Sequence, residues 1–351
     1  MVIDMHSHWT PRGLMQRQAA GQDWYGWRLD RDDQGRERVS MGEHALSFAV
    51  SRSLLHDPAA RARERQELEG IDMQCPIPTG IFWNYHLDEA LARRFTLEVN
   101  EEIAEVQRAH PRSYRGLAML PMQHPHLARE LMEDAAGRLG LRAIVIASNV
   151  NGKNLDDPEV LPLLEAAATM GLSIVVHPVY WGKPGEERFP RYHFDNSFGA
   201  PLESSLAAMS VVYSGLLDRH PDLRIMFTQG GGWIHFGVGR FNLRYQQRRD
   251  GGAMTRPPVD YLSQMYFDCL VHDDDALALL FKRCGRDKLM IGTDHPASGN
   301  IIGGAVPWIR RQALFSDEDK DHILWRNAAR FLQLDASCLP HTHSTDKEFS
   351  A

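Results

Sequence analysis

Eight short apolar runs, separated by longer segments of helical period, constrain the fold of this chain more than any other feature. The runs are Val2-Ile3-Asp4-Met5, Asp72–Ile77, Tyr114–Leu120, Ala143–Ile146, Ser173–Val176, Arg224–Phe227, Met265–Phe267 and Leu289–Gly292. Continuous apolar runs of this length read as strands buried on both faces, as in parallel sheets. Amphipathic helical patterns lie between them, over Leu87–Ala109, Leu127–Leu139, Pro158–Met170 and Pro201–Arg219. Each stops at a glycine or proline just past its last periodic residue. Strand and helix alternating eight times predict an α/β fold, a closed (β/α)8 TIM barrel. A doubly wound open sheet would carry a glycine-rich turn after its first strand. Here that turn is His6-Ser7-His8.

The barrel is expected to occupy residues 1–335, with an irregular insertion at about 9–52 covering its mouth. The insertion holds a hairpin with a polar turn at Asp33-Gln34-Gly35. Residues 336–351 read as a mobile tail. Their His341-Thr342-His343 follows no strand and is given no metal role. With 43% apolar residues, 24% charged residues and a net charge of -7 over 351 residues, acid and base are interspersed and no nucleic-acid footprint is visible. No stretch approaches ~20 consecutive apolar residues, so no membrane span is expected. Four cysteines with no Cys-x-x-Cys pair, and no signal peptide at the start, point to a reducing, cytoplasmic setting.

The chemistry sits at the strand ends. His6 and His8 close the first run, two apart, so their imidazoles share one face and can converge on one ion at about 2.0–2.1 Å. His177 closes the fifth run and Asp294 follows the eighth. Active sites of such barrels lie at the C-terminal ends of the strands, so all four are expected to point into one mouth. Imidazoles plus a carboxylate, with a position left for water, make a catalytic site rather than a closed structural one. Asp294 either holds the ion or takes a proton. The ion is expected to be a single zinc, with manganese as the alternative. Trp9, Trp181 and Trp233 lie just past strand ends, where they either wall the pocket and stack on a planar substrate or simply pack the mouth. Lys183 and Arg191, in the loop after Trp181, add positive charge.

These pieces, with Arg52 before Asp57-Pro58, Gly116–Gln123, Val176-His177-Pro178, Gly230-Gly231-Gly232, Val238-Gly239-Arg240, Val271-His272-Asp273 and Gly292-Thr293-Asp294, resemble the amidohydrolase superfamily, in the branch of aminocarboxymuconate-semialdehyde decarboxylase. The resemblance runs from about residue 2 to 333. It implies a (β/α)8 barrel, a zinc ion on His6, His8, His177 and Asp294, and a homodimer. It further implies that Arg52 binds a substrate carboxylate and that Arg240 reaches in from a neighbouring subunit. Guanidinium suits such bidentate recognition. His272 matches a histidine of the family and is expected to line the substrate site.

One departure stands out. The family has a histidine, its general acid/base, where this chain has Gln229, and glutamine cannot exchange a proton near neutral pH. His295, beside Asp294, is the expected substitute. His235, where the family has a proline, is a further imidazole nearby. The function expected is non-oxidative decarboxylation of an aromatic or unsaturated carboxylic acid, a small-molecule substrate. The alternative is a hydrolase or hydratase that uses water activated by the ion. A barrel that has lost catalysis would not be expected to keep the whole ligand set.

Overall fold

The computed structural model describes residues 1–31, 33–35, 37–42, 44–47, 57–247, 251–297 and 301–335. Its strands are β1 (Ile3–Trp9), β2 (Arg28–Arg31), β3 (Glu37–Met41), β4 (His44–Ser47), β5 (Met73–Pro78), β6 (Leu117–Met119), β7 (Ala143–Ala147), β8 (Ser173–His177), β9 (Ile225–Phe227), β10 (Tyr266–Asp268) and β11 (Leu289–Met290). The eight expected runs become β1 and β5 to β11, each buried throughout.

These eight form a closed ring. β6 to β11 make one parallel sheet, and β1 pairs with β5 in parallel. Two seams join the pieces. At one, Gln74 bridges Tyr114 in parallel, with Gln74 N donating to Ser113 O and Arg115 N to Gln74 O. At the other, Ser7 bridges His295 in parallel, with Met5 N donating to Ile291 O and Thr293 N to His6 O. Closure leaves none of these eight strands with an open edge.

A helix follows each barrel strand: Pro58–Glu69, Glu89–Ala109, Pro125–Gly137, Leu161–Thr169, Ala200–Tyr213, Ile234–Gln246, Asp274–Cys284 and Ala305–Arg311. The pattern expected as one helix over Pro201–Arg219 is two, because Gly215 takes a left-handed φ of 70° and separates Ala200–Tyr213 from Leu216–Arg219. That conformation suits glycine.

The insertion is more ordered than its sequence suggests. Arg12–Ala19 is a helix, and β2, β3 and β4 form an antiparallel sheet whose first hairpin turns at Asp33-Gln34-Gly35. The insertion packs on the C-terminal ends of the barrel strands. Trp27 stacks on Trp181 at 5.9 Å and donates from Nε1 to Asn84 Oδ1 at 2.7 Å. Arg52 and the pair His341 and His343 lie outside the described residues. Cys75, Cys269 and Cys284 are buried free thiols. Among the described residues, no helix is long and apolar enough to cross a membrane.

Candidate metal centre

His6 and His8 enter the barrel mouth from β1, whose register against β5 shifts between Asp4 and Ser7. Such an irregularity re-aims side chains at the end of a strand. Asp4 holds it in place: its Oδ1 accepts from His6 N at 3.1 Å and from Thr293 N at 3.1 Å, and its Oδ2 accepts from Thr293 Oγ1 at 2.6 Å. One buried carboxylate thus joins the start of the metal motif to its end.

The three imidazoles stand edge to face in a near-orthogonal trio. Ring centroids are 5.1 Å apart for His6–His8, 5.1 Å for His6–His177 and 5.0 Å for His8–His177. Asp294 Oδ1 lies 2.8 Å from His8 Nε2 and 3.3 Å from His6 Nε2. One candidate ligand atom from each of the four residues lies within 4.8 Å of the others, and all four residues are buried. Two close approaches need glycine. A Cβ on Gly80 would meet the His177 ring at 3.2 Å, and one on Gly292 would meet His6 Cβ at 2.9 Å and Asp268 Cβ at 3.0 Å.

The nitrogens facing away from this centre are largely tied down. His6 Nδ1 is 2.6 Å from Asp268 Oδ2, and His177 Nδ1 donates to Pro178 O at 2.9 Å. Each leaves Nε2 to face the centre, the usual second-layer arrangement of a metal-binding histidine. Asp268, fully buried, is a functional residue that the sequence reading missed. It also accepts from the backbone N–H groups of Gln229, Gly230 and Leu270, at 3.0, 2.7 and 3.2 Å. Its one legible sign was an acidic residue closing the apolar run Met265–Phe267.

The electrostatics ask for a cation. Burial alone would depress His6, but Asp268 and Asp294 outweigh it and hold its pKa up at about 10. Burial would raise Asp294, but hydrogen bonds with His6 and His8 pull it well below the usual carboxylate range. Burial, with His8 and His6 nearby, pushes His177 far below its ordinary value, so it is a neutral donor. Two buried carboxylates around three imidazoles fit a divalent ion, which would take the place of the proton otherwise forced onto His6.

A cavity of 730 Å³ opens beside this centre, lined among others by Gln229, Trp233, His235, Phe236, His272 and Asp294. Gln229, His272 and Asp294 follow three successive barrel strands and all hold left-handed φ, at 56°, 58° and 56°. For residues other than glycine this conformation costs on the order of 1–3 kcal/mol each and is concentrated at functional sites.

Other expected site residues are placed differently. His295 is half-buried beside Asp294 but does not line this cavity. Burial, with Arg65 and Arg61 nearby, pushes its pKa down to about 3. Trp181 packs on Trp27 and Tyr180 and is not part of the cavity wall. Trp9 is fully buried, whereas Trp233 is half-exposed at the cavity. Lys183 is buried against the Tyr180 ring and donates to Tyr180 O, so it presents no charge to the mouth. Arg191 is exposed, and Arg240 is exposed on the helix Ile234–Gln246.

Known proteins resemble this chain over most of its length. The chain is 32% identical over 341 residues to the 2-amino-3-carboxymuconate-6-semialdehyde decarboxylase of Dictyostelium discoideum, covering 95% of this chain and 92% of that one. The structure superposes on 5-carboxyvanillate decarboxylase from Sphingomonas paucimobilis with a TM-score of 0.78 at 22% identity, covering 95% of this chain and 99% of the other. It superposes on a dihydroxybenzoic acid decarboxylase from Polaromonas sp. JS666, solved with manganese and the inhibitor 2-nitroresorcinol, with a TM-score of 0.77 at 21% identity, covering 96% and 98%. The amidohydrolase family model spans residues 3–334. With His-x-His on the first barrel strand, the third histidine on the fifth and the aspartate after the eighth, this chain belongs to the amidohydrolase family.

Proposed function

We propose that this protein is a metal-dependent, non-oxidative decarboxylase of an aromatic or unsaturated carboxylic acid. The observation that carries the reading is the cluster of His6, His8, His177 and Asp294 beside a cavity sized for a small ring. The relatives named above act on substrates of this kind. We assign zinc to the site with manganese as the alternative, since three imidazoles and a carboxylate accept either. When bound, the ion supplies a Lewis acid that draws electron density from the substrate.

The chain's own groups do the rest. Asp268 fixes the His6 ring so that its Nε2 faces the centre. Arg52 and, from a neighbouring subunit, Arg240 hold the substrate carboxylate by charge and by paired N–H donors. His272 lines the site, and Gln229 orients the substrate by hydrogen bonding alone. In the reaction, the bond from the carboxylate carbon to its neighbour breaks and carbon dioxide leaves. The electron pair stays on the neighbouring carbon, which takes a proton. We assign passage of that proton, drawn from solvent, to Asp294, whose Oδ1 lies between His6 and His8 at the cavity wall and whose low pKa makes it a relay rather than a store of the proton, whereas His295 does not line the cavity.

The decisive experiment uses metal-loaded protein, a panel of hydroxybenzoates and unsaturated acids, and heavy water. Release of carbon dioxide with one deuterium on the former carboxyl-bearing carbon is expected. Gln229 in place of a histidine favours a second reading, hydration or hydrolysis, and incorporation of oxygen from labelled water without carbon dioxide release would establish that instead. Arg52→Ala should raise KM by an amount corresponding to about 2–4 kcal/mol if its charge pair is desolvated; an unchanged KM removes it from the site.

We also propose a cytoplasmic homodimer. Tyr192, Phe198, Trp233 and Phe236 are exposed, with Phe236 at 86%, and Arg240 shares a helix with Phe236. Apolar surface of this kind marks an interaction face.

A further inference from the structure

Two of the three imidazoles at the metal centre are held by their outer ring nitrogen, His6 by Asp268 and His177 by Pro178 O. His8 is not. Its Nε2 faces the centre, 2.8 Å from Asp294 Oδ1, while its Nδ1 is buried with no hydrogen-bond partner. What remains to aim the ring is its edge-to-face packing on His6 and His177 and the backbone of residue 8 itself.

That backbone sits where the barrel ladder runs out. His8 N donates to His295 O at 2.6 Å, across the seam that closes the ring. In a parallel ladder such a residue accepts in turn from the N–H two positions further along the same neighbour, here Ala297. Ala297 N instead turns back to Asp294 O, at 2.6 Å. The His8 carbonyl is thereby left without a strand donor, and a side chain takes its place: Arg61 Nη1 donates to His8 O at 2.8 Å.

Arg61 lies near the start of the helix Pro58–Glu69, whose N-cap is Asp57. It is fully buried, and its Nε donates to Gln74 Oε1 at 2.8 Å. The Gln74 backbone belongs to the other seam of the ring, bonded to Ser113 and Arg115. A guanidinium is planar, so bonds to two separate anchors fix its plane as well as its position. Burying such a charge is costly. Among the described residues both of its hydrogen bonds go to neutral oxygens, with no carboxylate bonded to it. It also stands beside a centre built for a cation, which it repels. Charge gives no reason to keep Arg61 there, whereas its directed donors do.

We infer that Arg61 is a positioning residue: by fixing the carbonyl of His8 it sets the direction of the His8 imidazole into the metal centre, the task that Asp268 and Pro178 O perform for the other two rings. The inference rests on the metal centre and is independent of the substrate.

The test uses the full chain loaded with cobalt(II), whose visible absorption bands report the geometry of its ligands, with Kd measured by competition against a chelator. Arg61→Met keeps most of the side-chain bulk and removes both the charge and the donors. Charge and positioning then predict opposite signs. Loss of the charge alone tightens binding of a cation, whereas a loosened His8 should raise Kd on the order of tenfold and shift the bands. Arg61→Lys keeps the charge and one donor but not the fork, and should raise Kd by less; it serves if the methionine variant does not fold. Ser173→Ala removes a buried hydrogen bond to Phe331 O at the far end of β8 from His177. It weakens the fold away from the centre and should leave Kd and bands unchanged. Tighter binding by Arg61→Met overturns the inference, as do unchanged Kd and bands in Arg61→Met, or in Arg61→Lys where that variant stands in, or equal losses in Ser173→Ala. A wild type that takes up no cobalt overturns the metal centre along with it.

Discussion

At the scale of single residues, the site depends on a carboxylate that touches no substrate. Asp268 accepts from His6 Nδ1 and from three backbone N–H groups of the loops around it. Asp268→Asn keeps the volume but presents an N–H to groups that already donate. Metal affinity should fall by about 10–100-fold, as measured by titration against a competing chelator; unchanged affinity would show that Asp268 only shapes the loop. His272 provides a different trade. It is exposed and holds φ at 58°, so glycine relieves the backbone while removing little packing. His272→Gly should gain up to about 1 kcal/mol in urea unfolding and lose turnover. A less stable variant would mean that the surface contacts of His272 outweigh its strain.

At the scale of elements, the strands are legible and the insertion is not. Runs such as Ala143–Ile146 and Ser173–Val176 carry their own signal, because both faces of those strands are buried. Arg12–Ala19 carries almost none. Its N-cap is Pro11, which makes no side-chain cap. The missing acceptor comes from Glu102, on the helix Glu89–Ala109, whose two oxygens accept from Arg12 N at 3.1 and 3.0 Å. No local pattern announces a cap supplied from ninety residues away. Burial of Glu102, opposed by Arg12, raises its pKa from 4.5 to about 7. A carboxyl whose pKa is higher in the folded state than in the unfolded one contributes stability below pH 4.5, and that contribution is lost as pH rises through about 7. Relative to Glu102→Gln, which keeps an amide oxygen as acceptor, the wild type should therefore lose on the order of 2–3 kcal/mol between pH 4.5 and pH 8. Urea unfolding of both proteins across that range checks it, and parallel pH profiles would refute the shift.

At the scale of the whole molecule, barrel closure and the metal centre are one construction. The seam between β1 and β11 runs through His6 and Thr293, and Asp4 ties both to its carboxylate. An ion bound by His6 and His8 on β1, Asp294 past β11 and His177 on β8 spans that seam. A ligand of the native state alone stabilises it by about 2.7 kcal/mol when present at a hundred times its Kd. Chelation should accordingly lower the melting temperature of the loaded protein, zinc or manganese should restore it, and His177→Ala should abolish the response. A melting temperature indifferent to chelator in the wild type would leave the four residues without a resident ion.

The sequence by itself determined the parallel barrel, through runs buried on both faces, and the four-residue ligand set, through its place at strand ends. Both are properties of local pattern: a strand's periodicity and the polarity of the residue that closes it are written contiguously. Tertiary structure alone decided what surrounds that set. Asp268 becomes the partner of His6 because ring closure sets β10 next but one to β1, with only β11 between them. Trp181 is taken up by Trp27, and His295 lies within the field of Arg61 and Arg65, because the insertion and the helix Pro58–Glu69 pack there. Contacts between groups far apart in the chain are set by how the elements pack, and no run of residues records them.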